Sequence, residues 1–407
     1  MGETLKNNRS LSSSLAIGAA VGMSAALIFT IGFFFREIIG VAVPQVRASS
    51  INFDLLQEVQ NLLDQHYLRA QPDPIQREYA AIRGVVGLLE DRYTFFVDPP
   101  VAQSESDVLA GTYGGIGVQV NRNEVGQFVI FPFEASPAEL VGIENGDILS
   151  AVNGELLLPE TPQDVVDQQL RGEVKDGNGV EITVVKVNGD ELTTFIEFGV
   201  INVPSVIWRV LAEDNNIGYV QVIRFTSRTP EELEAALLEL NNEGISALIL
   251  DLRNNSGGLL QESVSVAGDF LDEGQAVVIE RSRGTERTLQ PNGISGQIES
   301  DLPLVVLVNQ GTASASELVA GAIQDHDRGI LIGQQTFGKG TVQQIFRLTD
   351  DSSIHITSAQ WLTPARMELD GSGIEPTISM IPDENGRDIE IGEAVHQLQE
   401  LLATQDN

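Results

Sequence analysis

The sequence predicts a multidomain α+β chain, and successive changes of pattern along its 407 residues indicate this class. An uncharged apolar stretch comes first and helical spacing follows; short β-branched runs between glycine turns come next, and then apolar strands alternate with helices. With 42% apolar residues, a chain of this length can bury more than one core. We therefore expect five segments, with bounds at 1–47, 48–105, 106–203, 204–382 and 383–407.

The first segment, 1–47, is predicted to be an N-terminal transmembrane anchor or a signal segment. Lys6 and Arg9 precede an uncharged run of 21 residues, Leu15 to Phe35, which is long enough to cross a bilayer as a helix. Basic residues before the run place that end in the cytoplasm and the remaining chain outside. A cleaved signal usually has a shorter apolar core, which favours a retained anchor, although small residues further on leave cleavage open. We expect extracytoplasmic domains on a single-pass membrane protein, or a secreted protein if the segment is cleaved.

The next two segments differ in the spacing and type of their apolar residues. In 48–105, Leu55, Val59 and Leu62 recur at helical spacing, and prolines separate a second helix from the first. In 106–203, β-branched runs alternate with glycine turns, which predicts a small β domain with one helical stretch. The predicted strands and helix are 116–120, 128–131, 180–187, 192–198 and the helix 162–170.

The segment 204–382 has the alternation of an α/β domain. Ala247 to Leu250 and Leu304 to Val308 are predicted to be buried parallel strands. The predicted helices of this domain are 229–241, 259–271 and 314–324. One further helix, 389–402, is predicted in the C-terminal segment 383–407, before a polar tail.

Composition excludes several classes of function. The formal net charge is −34, so the phosphate backbone of a nucleic acid would be repelled, and we expect no nucleic-acid partner. The chain has no cysteine, which excludes thiol nucleophiles, disulfides and cysteine-ligated zinc. Its four histidines stand in no familiar motif with a serine and an aspartate. We expect no cofactor and no metal.

Two short segments indicate a serine/lysine hydrolase. Ser314 stands at the start of a predicted helix, and Lys339 follows 25 residues later between Gly338 and Gly340. A serine hydroxyl needs a neighbouring base, and a lysine amine can be that base only if desolvation lowers its pKa. Apolar neighbours such as Phe337 are expected to provide that desolvation.

Each segment also has an ordinary interpretation. Ser314 followed by Glu317 is a capping-box pattern that starts many helices, and Lys339 between glycines is typical of an exposed turn. Ser316 is a rival nucleophile on chemistry alone. The run 333–339 approaches a phosphate-binding loop, but Gly340 stands where that loop needs a hydroxyl, so we set nucleotide binding aside.

Two glycine-rich segments complete the pattern. Residues 251–258, Asp-Leu-Arg-Asn-Asn-Ser-Gly-Gly, follow a buried strand directly, where a loop can contact a substrate; a plain turn is the alternative. Residues 113–118, Tyr-Gly-Gly-Ile-Gly-Val, lead a glycine turn into a strand, and free N–H groups there can hold a peptide carboxylate. The later motifs Gly-Asp-Ile-Leu at 146–149 and Val-Asn-Gly at 152–154 favour this interpretation over a plain hairpin.

Taken together and in their order along the chain, these four elements resemble the carboxyl-terminal processing proteases, which are tail-specific S41 serine proteases with a PDZ domain. The elements are the two glycine-rich segments, the Ser314 segment and the Lys339 segment. The resemblance covers about Phe53 to Pro382. It implies a PDZ domain over 106–203, inserted after the helical region 48–105, and a catalytic core related to the ClpP/crotonase-like fold over 204–382. The family's loop usually carries proline where Ser256 stands here.

The resemblance also implies roles for individual residues. Ser314 matches the nucleophile, Lys339 the general base and Gln343 the residue that orients the lysine. The N–H of Ala315 and a glycine of the Gly257-Gly258 pair match the oxyanion hole. The amides that would bind the substrate carboxylate are those of Gly115, Ile116 and Gly117. Arg171 matches an arginine that some members use in activation, and Glu317 an acidic position whose role, structural or catalytic, stays open.

The resulting hypothesis is an extracytoplasmic endopeptidase that cleaves proteins near their C-termini. Its expected partners are the C-termini of protein or peptide substrates and the membrane, with a homodimer or an adaptor protein as further candidates. The competing hypothesis is a scaffold that binds ligands through the PDZ groove without cleaving them. If Lys339 were not the base, His326 or His355 would be the next candidates.

Overall fold

The computed structural model describes residues 53–123, 125–291, 302–383 and 386–405. The predicted membrane-crossing run, Leu15 to Phe35, lies outside these ranges. Among the described residues, no helix combines the length and the apolar character needed to cross a bilayer. The chain divides into two compact units, Met1–Asp73 and Pro74–Asn407, so the two predicted helices of the 48–105 segment fall into different units.

Nine helices are formed within the described ranges, and the sequence pattern predicted most of them. They are α1 Asp54–His66, α2 Pro74–Gly87, α3 Pro99–Leu109, α4 Pro137–Leu140, α5 Gln163–Gln169, α6 Thr229–Asn242, α7 Leu260–Ala267, α8 Ala315–Asp325 and α9 Ile389–Gln405. In the first unit, the apolar residues of α1 are exposed, with Leu55 at 77% and Leu62 at 50%. Helix α7 ends four residues earlier than predicted.

The β domain contains a sheet with its own core. Its strands are β2 Thr112–Gly115, β3 Val118–Arg122, β4 Phe128–Pro132, β5 Asp147–Val152, β6 Glu155–Leu156, β7 Gly179–Val185, β8 Glu191–Glu197 and β9 Gly199–Asn202. The main sheet has the order β3-β4-β5-β7-β8, with β6 paired to β5, while β2 pairs with β9. Alternating side chains such as Ile130, Ile182 and Val184 are buried on one face of this sheet, as period-two patterning predicts.

A second sheet forms the centre of the α/β domain. Its strands are β10 Val206–Val210, β11 Ile217–Val222, β12 Ala247–Asp251, β15 Leu304–Val308, β16 Ile330–Gly333 and β19 Ile378–Ser379, in that order across the sheet. Strands β11, β12, β15, β16 and β19 are parallel, and β10 is antiparallel to β11. Every residue of β12 and β15 is buried, because helices cover both faces. The prediction of buried parallel strands is confirmed.

Helix α9, predicted in the C-terminal segment, packs against the central sheet of the α/β domain. Its residues Ala394 and Leu398 are completely buried, in one cluster with Ile249 and Leu307 of the central strands. Helices α6, α7 and α8 cover the opposite face, where Leu237 and Val319 are completely buried. The predicted division at residue 383 therefore separates a helix from the sheet that it covers.

A third sheet was not predicted. It contains β1 Phe95–Val97, β13 Val278–Ser282, β14 Thr285–Leu289, β17 Thr341–Arg347 and β18 Ser353–Leu362. The ten-residue strand β18 pairs with β1, β13 and β17, so it joins parts of the chain that are far apart in sequence. Between Val342 and Gln343 of β17 the register shifts, and Ser358 of β18 is passed over. Bulges of this kind redirect the neighbouring side chains.

Candidate active site

Ser314 and Lys339 line one cleft. The cleft has a volume of about 550 Å³, and Gly258 and Gln343 also line it. Ser314 follows β15 through a short loop and immediately precedes α8, and Lys339 lies in the loop between β16 and β17. The carboxyl ends of the parallel strands β12 and β15 bring the loops of 251–258 and 309–314 together, as the α/β topology predicts.

Ser314 adopts an unusual backbone conformation. Its φ is +58° and its ψ is −120°, outside the regions that a residue with a side chain ordinarily occupies. Such a conformation costs on the order of 1 to 3 kcal/mol and persists only where neighbouring contacts impose it. The backbone N–H of Ser314 donates to the Glu317 carboxylate at 2.7 Å. Ser314 is the residue preceding α8, as predicted, but its positive φ was not predictable from the capping pattern.

The rival serine, Ser316, has a structural role. Its side chain is completely buried. Its hydroxyl lies 2.6 Å from the carbonyl oxygen of Asn255 and 2.7 Å from that of Ala313, and it accepts a hydrogen bond from the Ala313 N–H. Ser316 therefore holds the 251–258 loop against the start of α8, and of these two serines it is Ser314 that lines the cleft.

The buried Glu317 carboxylate joins the serine loop to the lysine loop. Besides the Ser314 N–H, it accepts the hydroxyl of Thr336 at 2.5 Å, the N–H of Gly338 at 2.7 Å and the N–H of Lys339 at 2.9 Å. Its exposed fraction is 0%, so it needs these donors to offset the loss of water. The carboxylate binds backbone groups on both sides of the site, which assigns Glu317 a structural role.

The amine of Lys339 is partly buried. Burial lowers the pKa of Lys339, and the negative charge of Glu317 raises it by a smaller amount, so the net direction is downward. The Nζ atom lies 5.2 Å from the centroid of the Tyr93 ring. Phe337, which the sequence suggested as the apolar cover, is 54% exposed. The prediction of a lysine whose pKa is lowered by burial agrees with this environment, and the role of Phe337 in that burial stays a prediction.

Gln343 is hydrogen-bonded to the lysine amine. The Lys339 Nζ donates to the Gln343 Oε1 at 2.5 Å, and the Gln343 Nε2 donates to the backbone oxygen of Tyr93. Because the carbonyl of Tyr93 accepts only, it fixes the amide so that its oxygen faces the amine. The amine and the side chain of Ser314, both in the described part of the chain, are not hydrogen-bonded to each other.

Tyr93 is the site residue that the sequence did not reveal. It precedes Gln343 by 250 residues and reaches the site because β1 pairs with β18, which also pairs with β17. Asp91 fixes the turn: its carboxylate accepts the N–H of Tyr93 at 2.9 Å and the hydroxyl of Thr94 at 2.7 Å. The spacing of Asp91 and Thr94 is a local turn signal, but it says nothing about the distant glutamine.

The two predicted oxyanion glycines are not equivalent. The N–H of Gly257 donates to the Asn255 Oδ1 at 2.9 Å, whereas the N–H of Gly258 has no recorded partner within the described ranges. Ala315 begins α8, so its N–H has no acceptor within the helix. A Cβ on Gly257 would come within 2.9 Å of the Ser314 Cβ, and one on Gly258 within 2.0 Å of the Phe225 oxygen. Both positions require glycine, and Gly258 with Ala315 supplies the free donors.

The other predicted candidates lie elsewhere or are already engaged. His326 faces the backbone oxygen of Ala276 at 2.8 Å and does not line the cleft. His355 does line it, but its Nε2 lies 3.0 Å from Glu105. Among the described residues, no group of three or more His, Asp or Glu side chains could hold a metal ion.

The predicted carboxylate-binding amides lie in the β domain. The N–H of Ile116 already donates to the backbone oxygen of Leu170 at 3.2 Å. Arg171 forms an isolated bridge to Gly115, and its guanidinium lies 4.5 Å from the Tyr113 ring centroid. In this conformation the segment 170–172 therefore covers the predicted carboxylate site, and Ile116 is not a free donor.

Comparison with known proteins gives consistent matches. A family model for peptidase family S41 matches residues 216–380. A carboxy-terminal-processing protease of Bartonella bacilliformis is 33% identical over 332 residues, covering 79% of this chain and 75% of its own length. A protein of Staphylococcus haemolyticus named "Probable CtpA-like serine protease" is 32% identical over 375 residues, covering 88% and 73%.

A solved structure named as an S41 protease from Bacteroides fragilis matches with a TM-score of 0.50 at 16% identity, covering 85% of this chain and 97% of its own. This likeness concerns the fold.

We predict that catalysis follows the ionisation of Lys339. Because its pKa is lowered by burial, the neutral amine is populated at lower pH than in a solvated lysine, so the rate of hydrolysis should rise from acidic to mildly alkaline pH. Lys339→Arg should lose nearly all activity, since guanidinium stays protonated. Rates measured from pH 5 to 10 check this, with the exposed Lys175→Arg as the control. Full activity of Lys339→Arg would refute the assignment of the base.

We also predict that Glu317→Gln uncouples the two loops. A glutamine has one acceptor oxygen, and its NH₂ group can only donate. That NH₂ group would therefore face N–H groups whose hydrogen bonds the carboxylate oxygen accepts in the unaltered protein. The free energy of unfolding should fall by about 3 kcal/mol, and the hydrolysis rate by at least about tenfold. Urea denaturation and rate measurements check this, and exposed Glu239→Gln should leave both unchanged. A stable, fully active Glu317→Gln protein would contradict the role of the carboxylate.

Proposed function

This chain belongs to peptidase family S41 and to its carboxy-terminal-processing proteases, and we propose that it hydrolyses peptide bonds near protein C-termini through an acyl-enzyme on Ser314. The single observation that carries the mechanism is the partly buried Lys339 amine with its lowered pKa, in the same cleft as Ser314. A neutral amine can take a proton from a serine, and an ammonium cannot.

The proposed steps assign one task to each group. The Lys339 amine takes the proton of the Ser314 hydroxyl, and the Ser314 Oγ attacks the carbonyl carbon of the scissile bond. The oxygen of the tetrahedral intermediate accepts hydrogen bonds from the N–H groups of Ala315 and Gly258. The C–N bond then breaks, and the lysine returns its proton to the leaving amine. Water, deprotonated by the same lysine, hydrolyses the ester and restores the serine.

Gln343 supports this cycle by fixing the amine. Its oxygen accepts one amine hydrogen in both the neutral and the protonated state, so the lone pair of the neutral amine is directed elsewhere in the cleft. The Lys339 amine is not hydrogen-bonded to the Ser314 hydroxyl in this structure. We expect that hydrogen bond to form when substrate binds, since catalytic hydrogen bonds often tighten only in the substrate complex.

We further propose that the β domain acts as a PDZ-like reader of substrate tails. Strand β3 is an edge strand of its sheet, and α5 lies beside it, with the Gln163 side chain bonded to the Val120 oxygen at 2.7 Å. A peptide can pair with such an edge by adding one strand. Because Leu170 holds the Ile116 N–H, binding of a carboxylate there would require segment 170–172 to move.

The expected location follows from the sequence alone. The apolar run from Leu15 to Phe35 with basic residues before it supports an anchored chain whose catalytic domains are extracytoplasmic. Fractionation of cells into membrane and soluble parts tests the anchor, and protease accessibility from outside the cytoplasm tests the orientation.

The decisive test of the proposed function compares residues 48–407 with the same protein carrying Ser314→Ala. An unstructured protein with an apolar tail should be cut by the first and left intact by the second, because the second has no nucleophile. Mass spectrometry of the products locates the cuts near the substrate C-terminus. If neither protein cuts and both bind the tail equally, a non-catalytic scaffold is the correct description.

We predict that recognition of the tail depends on its free carboxylate. Amidation of the substrate C-terminus removes the charge that backbone N–H groups would hold, so degradation should slow several-fold, mainly through a higher KM. Steady-state rates on matched free and amidated peptides check this. Equal rates for both peptides would remove the β domain from substrate-tail recognition.

A further inference from the structure

We propose that Arg224 and Ser256 form a carboxylate-binding subsite of the catalytic cleft, beside the oxyanion loop. This inference rests on the proposed protease function and specifies its substrates: peptides that place a carboxylate close to the scissile bond. The carboxylate can come from an acidic side chain or from the substrate C-terminus itself.

The position of Arg224 is fixed by the backbone that carries the oxyanion glycines. Its neighbour Phe225 donates its N–H to the Gly257 oxygen at 3.1 Å and accepts the Leu259 N–H at 2.8 Å. Phe225 also forms a bridge with Gly258. Arg224 thus stands next to the segment that holds the proposed oxyanion donor, and both Arg224 and Ser256 line the cleft that contains Ser314.

No carboxylate of the described residues forms an ion pair with the guanidinium of Arg224. Arg224 is partly exposed, and its guanidinium donates a hydrogen bond to the neutral hydroxyl of the exposed Ser256 at 3.3 Å. Within the described ranges, no ion pair involves Arg224. Arg253, in the adjoining loop, instead pairs with three carboxylates, those of Asp251, Asp388 and Glu390. In a chain with 58 acidic residues, a cleft arginine without an acidic partner is available for a ligand.

The rest of the cleft does not neutralise this charge. Glu105 is the one acidic side chain among the described residues that line the cleft, and it lies 3.0 Å from His355. Two further basic residues line the cleft: His355 is the one that contacts Glu105, and Lys339 is the proposed proton acceptor, which must be neutral to work. Arg224 is therefore the permanent positive charge of this cleft.

The chemistry of the pair suits a carboxylate. A guanidinium presents two parallel N–H donors that match the two oxygens of a carboxylate, and partial burial strengthens such a bond. The Ser256 hydroxyl can turn to donate a third hydrogen bond. A proline at this position, which the family usually carries, would offer no such donor. The simpler alternative is that Arg224 only braces the Ser256 loop.

Binding can be measured without turnover by using the Ser314→Ala protein. Four matched twelve-residue peptides are compared, with a single Glu or Gln at one interior position and with a free or amidated C-terminus. Moving the Glu along the peptide locates the subsite. We expect at least one Glu position, or the free terminus, to improve the dissociation constant about tenfold, and Arg224→Met to abolish that gain. Ser256→Ala should reduce the gain partially.

Cleavage rates of the protein with Ser314 intact then distinguish two roles of Arg224, recognition of a substrate carboxylate and support of the Ser256 loop. Arg224→Met should lower kcat/KM for the preferred acidic peptide about tenfold and leave the Gln peptide unchanged, whereas Arg224→Lys should retain part of the preference. Arg283→Met, an exposed arginine in the β13–β14 turn, removes the same charge elsewhere and should change neither rate.

Three outcomes would overturn the proposal. An equal loss on both peptides would show that Arg224 braces the loop. A preference for acidic peptides that survives Arg224→Met would place carboxylate recognition elsewhere, and the absence of any preference would remove the subsite. Each of these presupposes cleavage that depends on Ser314, so failure of the proposed function itself would appear separately, as no cleavage of any peptide.

Discussion

Four hydrogen-bond donors from two loops converge on the buried carboxylate of Glu317, and the geometry of the candidate active site depends on that convergence. A carboxylate with no exposure is costly unless each oxygen is satisfied, so the donors and the charge require each other. The same bonds hold Ser314 in its positive-φ conformation and bring the backbone of Lys339 to a fixed place. One side chain therefore sets the relative position of two residues that lie 25 apart in the sequence.

The buried Glu317 carboxylate also affects the pKa of Lys339. Burial lowers the pKa of its amine, while the nearby Glu317 charge acts in the opposite direction. The carboxylate directs its oxygens to backbone N–H groups, so it is partly neutralised before it acts on the amine. The Lys339 amine thus lies near a fixed negative charge, and Gln343 contributes a neutral acceptor where a second carboxylate would raise the pKa of Lys339 further.

The parts of this protein that could be predicted are those in which local pattern decides structure. The buried strands at Ala247 and Leu304 and the helix after Ser314 follow from continuous apolar runs and a capping signal, and motif order indicated the family. The sheet built on β18 was missed because the strands that pair with β18 lie between residues 95 and 347, and pairing over such distances leaves no local period. For the same reason Tyr93 was missed, and only the fold could show that Ser316 is buried and that the Gly257 N–H is already used.

The contribution of Tyr93 has a consequence for how the chain matures. Its carbonyl holds Gln343, and the strand that brings it there pairs with Ser353 to His355, close to the far end of the catalytic domain. A nascent chain that ends before β18 contains Ser314 and Lys339 but lacks the strand with which β1 pairs. The candidate site is therefore complete only after the chain has been synthesised beyond Leu362 of its 407 residues.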